Sequence, residues 1–445
     1  MNRRNAILMG LGSPLLASCS SLAEPNAEQQ QTSFATLKNK FRENPGIDRD
    51  RASFILEQAG LDALVIHQPD NVYYCTGYWG SLMRAGLTGT TFAIIPKDLN
   101  SPIVFLCSQF TYYYSIADID LAAGVEPYLT TWGTENQVAD ALFFAAEENE
   151  ELTLKEKRRR DKTLATKPFH ASAAKGLQAA ARDLGIGSGK VGYDSLEALH
   201  LIENALPLSK KADAVDVIKH LRLIKTPREI ALMQQASANN IEAALATAKQ
   251  IRQLATSVNV RNQFMTEAAT RGNRYEFMVV NSSINQQQDE ELEEGTTVLI
   301  DCVSSYMGYH GDYGRTVFVG EPRQQMAKKV QSMGKAWDEL KNQLRPGMKF
   351  SEIQRKGSEI LKQINPGIVI PFSPHSVGLA HTEQPKSALD SSPLDIQLEK
   401  GMIISVDCPL MQASAKGSAH LEDLTLITES GSEPIHDPGN QIILA

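Results

Sequence analysis

The sequence predicts an α/β domain followed by a hairpin-rich α+β domain. Three observations carry this. The chain has 445 residues, which argues for two domains rather than one. Through its first half, helical and strand patterns alternate, as they do in α/β architectures. Beyond the middle, apolar strand segments arrive in adjacent pairs, "TTVLIDCV" with "GRTVFVG" and "MIISVDCP" with "LEDLTLIT", as hairpins require.

The stretch "DRASFILEQAG" is an amphipathic helix stopped by glycine. The apolar strand "DALVIH" follows, and Gln68-Pro69-Asp70-Asn71 is expected to turn the chain. "TTFAIIP" and "PIVFLC" are strands with continuous apolar runs. The basic run "LKEKRRRDK", residues 154–162, follows "EENEEL" and is expected to form the solvated face of a charged helix or linker. "HASAAKGLQAAARDLGIGSGKVGYD" reads as a helix, a Gly-rich stop and a strand. A helical connector is expected from about residue 211. Within it Thr226-Pro227 is a helix start, a capping residue followed by Pro at the first helical position. The domain boundary falls near residue 215, giving domains at 36–215 and 216–445, and no internal repeat is evident.

Residues 1–35 read as an export signal and tether. "MNRRNAILMGLGSPLLASCSS" has a twin arginine, a short apolar stretch and small residues before Cys19. The apolar part is too short to span a bilayer as a mature helix. Leu16-Ala17-Ser18-Cys19 resembles a bacterial lipoprotein box, and Arg3-Arg4 resembles the signal for export of folded proteins. The expectation is an exported protein, periplasmic or held at a membrane by a lipid anchor at Cys19. A plain cleaved signal or an uncleaved helix is the alternative. The remaining cysteines, Cys75, Cys107, Cys302 and Cys408, have no metal-binding spacing, and disulfides and buried free thiols are both open.

At 42% hydrophobic and 22% charged, the composition supports a sizeable core. A net charge of -8 with both signs mixed offers no clustered basic face, so no nucleic-acid partner is expected. The chemistry gathers in the second domain. Asp301 in "LIDCV", Asp312 in "GDYGRT", His375 in "SPHSVG", Asp407 in "ISVDCP" and Glu422 in "HLEDLTL" each sit in or beside an apolar β segment. Singly, each has an ordinary reading as a strand end, a turn residue, a core histidine or an edge. Together, strand alternation can aim one residue of each segment at a common centre. Four carboxylates meeting there repel unless they share protons or bind cations. With one imidazole they are a ligand set for two divalent first-row metals, Mn, Co, Zn or Fe, held roughly 3.5–4 Å apart by bridging carboxylates.

These motifs resemble the pita-bread metallopeptidases: methionine aminopeptidase, aminopeptidase P, prolidase and the related creatinase. The resemblance covers about residues 45–440. "PDNVYYCTGY" is similar to the N-domain motif of the prolidase and creatinase branch, and "LRLIKTPREIALMQQA" to the entry helix of its catalytic domain. "DCVSSYMGYHGDYGRTVFVG" resembles the paired-aspartate hairpin, "HSVGLAHTEQP" the histidine motif, and "GMIISVDCP" and "LEDLTLIT" the last two ligand strands. The resemblance implies a creatinase-type N-terminal domain followed by a pita-bread catalytic domain. It implies that Asp301 binds one metal, that Asp312 and Glu422 bridge, and that His375 and Asp407 bind the second. A bridging water or hydroxide would be the nucleophile, and His381 would steady the scissile carbonyl or tetrahedral intermediate. Because relatives are often dimers, a homodimer is expected.

Three departures stand out. The fourth ligand, a glutamate and general base in the peptidases, is Asp407, shorter by roughly 1.5 Å. No histidine precedes Asp301 in "MVVNSSINQQQDEELEEGTTVLID", where Ser282, Ser283 and Asn285 stand instead. The histidine motif, His381-Thr382-Glu383-Gln384-Pro385, is one residue longer than usual. The expected activity is hydrolysis of a Xaa-Pro-type peptide or related small amide. The alternatives are a non-peptidase C–N hydrolase or lyase acting on a small molecule, and a non-catalytic envelope binding protein.

Overall fold

Three strands of the N-terminal half, Ala63–Ile66, Thr91–Pro96 and Ile103–Ser108, are buried from end to end, and they organise what surrounds them. The computed structural model describes residues 46–86, 91–119, 121–131, 152–166, 168–281, 283–384, 395–411 and 417–445. The export signal and tether expected at 1–35, with Cys19, lie outside the described residues, as do Ser282 and Pro385. Helix α1 (Arg49–Gln58) starts at Asp48, whose side chain caps it by accepting from Arg51 N at 3.0 Å. It leads into β1 (Ala63–Ile66). The expected turn at Gln68–Asn71 is instead the start of a helix, α2 (Pro69–Thr76). Pro69 takes the first helical position, where its missing N–H costs nothing, and Gly77 ends the helix at a φ of 75°.

Strands β2 (Thr91–Pro96), β3 (Ile103–Ser108) and β4 (Val125–Thr130) follow. The basic run forms helix α3 (Leu154–Leu164), opened by a Thr153–Glu156 capping box and buried only at Thr163, so most of its charges face solvent as expected, while Arg159 turns in to pair with Asp118. Next come α4 (Ala173–Asp183), β5 (Lys190–Tyr193), α5 (Leu196–Ala205) and β6 (Lys210–Asp213). The six strands make one mixed sheet in the order β4-β3-β2-β1-β5-β6. One face packs Val65, Ile94 and Val104 against Leu177, Ala180 and Ile202 of α4 and α5. On the other, Phe105 and Cys107 pack against Val72, Tyr78 and Tyr112.

The connector expected to be helical from about 211 begins with β6 and becomes helical at α6 (Val215–Leu223). Helix α7 (Pro227–Ala248) then starts as the sequence predicts: Thr226 and Glu229 form a capping box, and Pro227 is the first helical residue. After α8 (Ser257–Thr270) come β7 (Arg274–Val280), β8 (Thr297–Tyr306) and β9 (Tyr309–Phe318). Strands β8 and β9 pair in unbroken register from Thr297↔Phe318 to Tyr306↔Tyr309. Met307 and Gly308 close the hairpin with φ of 49° and 82°, the positive values a two-residue turn requires.

Helices α9 (Gln324–Lys341) and α10 (Phe350–Ile364) precede β10 (Ser373–Ser376) and β11 (Ile403–Asp407). The chain ends with β12 (Glu422–Asp423), β13 (Thr425–Ile427), β14 (Ser432–Pro434) and β15 (Ile442–Leu444). Here the expected pairing of "MIISVDCP" with "LEDLTLIT" holds only in part. β13 pairs with β11, but β12 pairs with β9 in the neighbouring sheet, Glu422 facing Gly314. One short segment thus joins two sheets, β12-β9-β8-β7 and β10-β11-β13-β14. α7 and α8 cover the first, with Ile241 and Phe264 against Ile300, Cys302 and Val317. α9 and α10 cover the second, with Trp337, Leu340 and Ile353 against Ile404 and Val406. Because side chains alternate along β8, Cys302 packs toward the helices while Asp301 points to the opposite face. The four described cysteines are buried and unpaired, so the thiol alternative holds for them.

Candidate metal centre

The five residues singled out from the sequence meet where the two sheets face each other. Asp301 comes from β8, Asp312 from β9, His375 from β10, Asp407 from the end of β11 and Glu422 from β12. His375 Nε2 lies 3.3 Å from Glu422 Oε1, 3.4 Å from Asp407 Oδ2 and 3.6 Å from Asp312 Oδ2. His381 joins them, its Nε2 3.3 Å from Asp312 Oδ2 and its ring packed edge-on against Phe277 at 5.0 Å. Donor atoms of Asp312, His375 and His381 form one tight group. Those of Asp301, Asp407 and Glu422 form a second, together with His420.

His420 was not singled out in the sequence. Its Nε2 lies 3.1 Å from Glu422 Oε2 and 3.6 Å from Asp407 Oδ1, and its side chain is buried. A signal was present, for His420 precedes Glu422 by two positions in "HLEDLTL", and alternation puts both on one face of an extended segment. The ring has room because residue 314 is glycine. A Cβ there would stand 2.5 Å from His420 Nε2 and 2.8 Å from Glu422 Cβ.

Arg315 fixes the segment that carries these two residues. Its fully buried guanidinium donates to the carbonyls of Gly314, Glu422, Pro438 and Asn440, and it lies 2.6 Å from Asp423 Oδ1. Trp337 Nε1 donates to the other Asp423 oxygen at 3.0 Å. The His381 loop is held in a similar way. Glu383 accepts from Leu379 N at 3.0 Å, from Lys225 Nζ at 3.0 Å and from the Arg222 guanidinium. Arg222 also donates to Asn71, which donates to Asp194, so the chain of contacts runs into the N-terminal sheet.

The electrostatics of the centre call for positive charge. Burial, then the charges of Glu422 and Asp312, push the Asp301 carboxyl well above the usual range. Burial and then Glu422 raise Asp312 and Asp407 as well. Glu422 moves the other way. Burial opposes its charge, but hydrogen bonds with His375 and His420 outweigh burial and hold it well below the usual range. Hydrogen bonds also overcome burial at the imidazoles: those with Asp407 and Glu422 raise His375 well above its ordinary value, and that with Glu422 raises His420 to about 9. In this arrangement the imidazoles and retained protons supply the charge that neutralises the carboxylates.

The donor set fits divalent cations. Asp301 Oδ1 and both Asp312 oxygens are enclosed with no hydrogen-bond donor, as are Nδ1 of His375 and of His420. A buried polar atom left without a partner costs about 1–3 kcal/mol. Four carboxylates and neighbouring imidazoles are ligands that suit first-row metals.

Comparison with known proteins agrees with this geometry. Residues 49–224 match the family model of the creatinase/prolidase N-terminal domain, and residues 231–429 match that of metallopeptidase family M24. A probable dipeptidase PepE of Mycobacterium bovis is 25% identical over 263 residues, covering 56% of this chain and 68% of its own length. A Xaa-Pro dipeptidase of Pyrococcus furiosus is 28% identical over 235 residues, covering 50% of this chain and 65% of its own. Among solved structures, a Xaa-Pro dipeptidase from Bacillus anthracis superposes with a TM-score of 0.63 at 18% identity, over 89% of this chain and 99% of that one. A prolidase from Pyrococcus horikoshii does so with a TM-score of 0.58 at 18% identity, over 87% and 97%. The architecture is the pita-bread fold of the prolidases. With a creatinase/prolidase domain at 49–224 and a catalytic domain at 231–429, the chain belongs to metallopeptidase family M24.

Proposed function

We propose that this enzyme hydrolyses Xaa-Pro dipeptides or a closely related small amide at a two-cation centre. The observation that carries the reading is the convergence of Asp301, Asp312, His375, Asp407 and Glu422 into two adjoining donor groups, with buried oxygens of Asp301 and Asp312 that have no hydrogen-bond partner. These residues would hold the ions. Once bound, divalent cations supply Lewis acidity and lower the pKa of a coordinated water toward neutrality.

The chain's own groups divide the remaining work. The side chains of Asp312 and Glu422 are fully buried, whereas that of Asp407 is 32% exposed. Asp407 is thus the carboxylate able to take up a proton and release it to solvent. Burial, followed by the neighbouring His375, lowers the pKa of His381 and keeps that ring neutral. Thr382 Oγ1 lies 3.0 Å from its Nδ1. With that hydroxyl donating, Nε2 carries the proton and can donate to a substrate carbonyl.

A small-molecule C–N hydrolase is the second reading, favoured by Asp407 at the position where the sequence resemblance expects glutamate. The test is a panel of Xaa-Pro dipeptides, matched dipeptides without proline and small amides, assayed with protein reloaded with manganese, cobalt or zinc. Turnover confined to Xaa-Pro substrates is expected. Metal-dependent turnover of small amides alone would favour the second reading, and no turnover with two ions bound would sink both.

A further inference from the structure

We propose that His420 is itself a metal ligand, so that each of the two cation positions carries an imidazole. The proposal rests on the reading of the cluster as a two-cation centre and adds a residue to it.

The argument is one of matched distances. Glu422 turns one oxygen to each of two imidazoles: Oε1 lies 3.3 Å from His375 Nε2, and Oε2 lies 3.1 Å from His420 Nε2. Asp407 does the same, with Oδ2 3.4 Å from His375 Nε2 and Oδ1 3.6 Å from His420 Nε2. Each imidazole therefore faces one oxygen from each carboxylate, and the two sets of spacings are alike. Ligand atoms held about 2.1 Å from a cation are separated by about 3.0 Å at neighbouring octahedral corners and about 3.4 Å at tetrahedral ones. The four spacings, 3.1 to 3.6 Å, lie close to these edges. If His375 is a ligand on this geometry, His420 qualifies on the same grounds.

The other donors sort around this frame. Asp312 and His381 group with His375, and Asp301 groups with His420. His420 also shares the enclosure of His375, each ring holding a buried Nδ1 with no protein partner. Its place is prepared by Gly314, since any side chain there would collide with the ring. A histidine serving only to hold Glu422 by a hydrogen bond would not need its Nε2 turned to Asp407 as well. The chemical consequence concerns metal choice. Imidazole suits zinc, cobalt and iron, whereas an all-oxygen position suits manganese and magnesium. With one imidazole at each position, neither ion sits in an all-oxygen site.

Two measurements test this. The first is an anomalous difference map of wild-type crystals soaked in zinc. Two zinc peaks are expected, one about 2.0–2.3 Å from His420 Nε2. Two peaks with His420 Nε2 more than about 3 Å from both would overturn the proposal while leaving the two-cation reading intact. No zinc in the cluster would overturn the two-cation reading itself. The second is calorimetric titration of metal-free protein with zinc, comparing wild type with His420→Gln and with the exposed His436→Gln as control. We expect two ions in wild type and in His436→Gln. In His420→Gln one ion should bind as before and the other should weaken at least about 100-fold. Two ions bound within threefold of wild type, or both weakened equally, would overturn the assignment, the latter marking a group that only supports Glu422. If His420→Gln does not fold, the zinc map of the wild type decides.

Discussion

Glu383 should govern both the acid stability of the protein and the placement of His381. Its carboxylate is enclosed by Arg222 and Lys225 and by the N–H of Leu379. Burial opposes its charge, but the Arg222 and Lys225 charges outweigh burial and bring it down to about 2, against an ordinary 4.5. The folded-state pKa thus lies below the unfolded one. The stabilisation is fully present above about pH 4.5 and is lost as pH falls toward about 2. A depression of this size corresponds to about 3 kcal/mol at pH 6, shrinking to somewhat over 1 kcal/mol at pH 3. Glu383→Gln removes the ionisable group and leaves two buried cations without their counter-ion. The variant should therefore be about 3–5 kcal/mol less stable at pH 6. The assay is urea unfolding of metal-free wild type and Glu383→Gln from pH 6 to pH 3, with the difference in unfolding free energy taken at each pH. That difference should narrow by about 2 kcal/mol over the range. A gap that stays constant would show that Glu383 is not held ionised by its neighbours, and the account of the His381 loop would fail with it.

Other expectations follow from the site and from the N-terminus. Gly314→Ala places a methyl group against His420 and Glu422, so it should cost about 1–3 kcal/mol in thermal unfolding and weaken metal binding, and unchanged zinc affinity would contradict the packing described. Asp407→Ala should lower both metal content and turnover, by elemental analysis and dipeptide assay, and full retention of both would remove Asp407 from the centre. If Asp407→Glu raises turnover on Xaa-Pro dipeptides, the shorter side chain is a retuning toward another substrate. Residues 1–19 lead us to propose a lipidated, exported protein, so mass spectrometry should find a modified Cys19 at the mature N-terminus and Cys19→Ala should abolish the modification. An unmodified Met1 in native material would refute this.

Much of the centre was legible because its residues interrupt apolar strands. A carboxylate inside apolar surroundings, such as Asp301 in "LIDCV" or Asp407 in "ISVDCP", needs a partner, and that need is visible without coordinates. His420 escaped notice because it flanks a motif whose own acid drew the reading, and only tertiary placement over Gly314 shows what it faces. The turn at Gln68–Asn71 failed for a different reason. Pro followed by Asp serves equally to turn a chain and to open a helix, and burial of the next residues, Asn71 to Thr76, decided for the helix. The pairing of "LEDLTLIT" was legible only in part, for its second half joins "MIISVDCP" as expected while Glu422 and Asp423 join β9 instead. Which neighbour a strand chooses depends on two sheets that exist only in the folded chain.

That divided segment ties assembly of the centre to the last stage of folding. Asp301 and Glu422 are 121 positions apart in the chain, and Glu422 reaches β9 only when the second sheet, anchored three residues later through Thr425, comes with it. Contacts between such distant positions form late, because the loop they close must first be ordered. A cation that binds only the closed arrangement would leave the folding limb of a chevron nearly unchanged and retard the unfolding limb. Bound metal would then act as a kinetic latch across the seam, lengthening the lifetime of the native state far more than it speeds its formation.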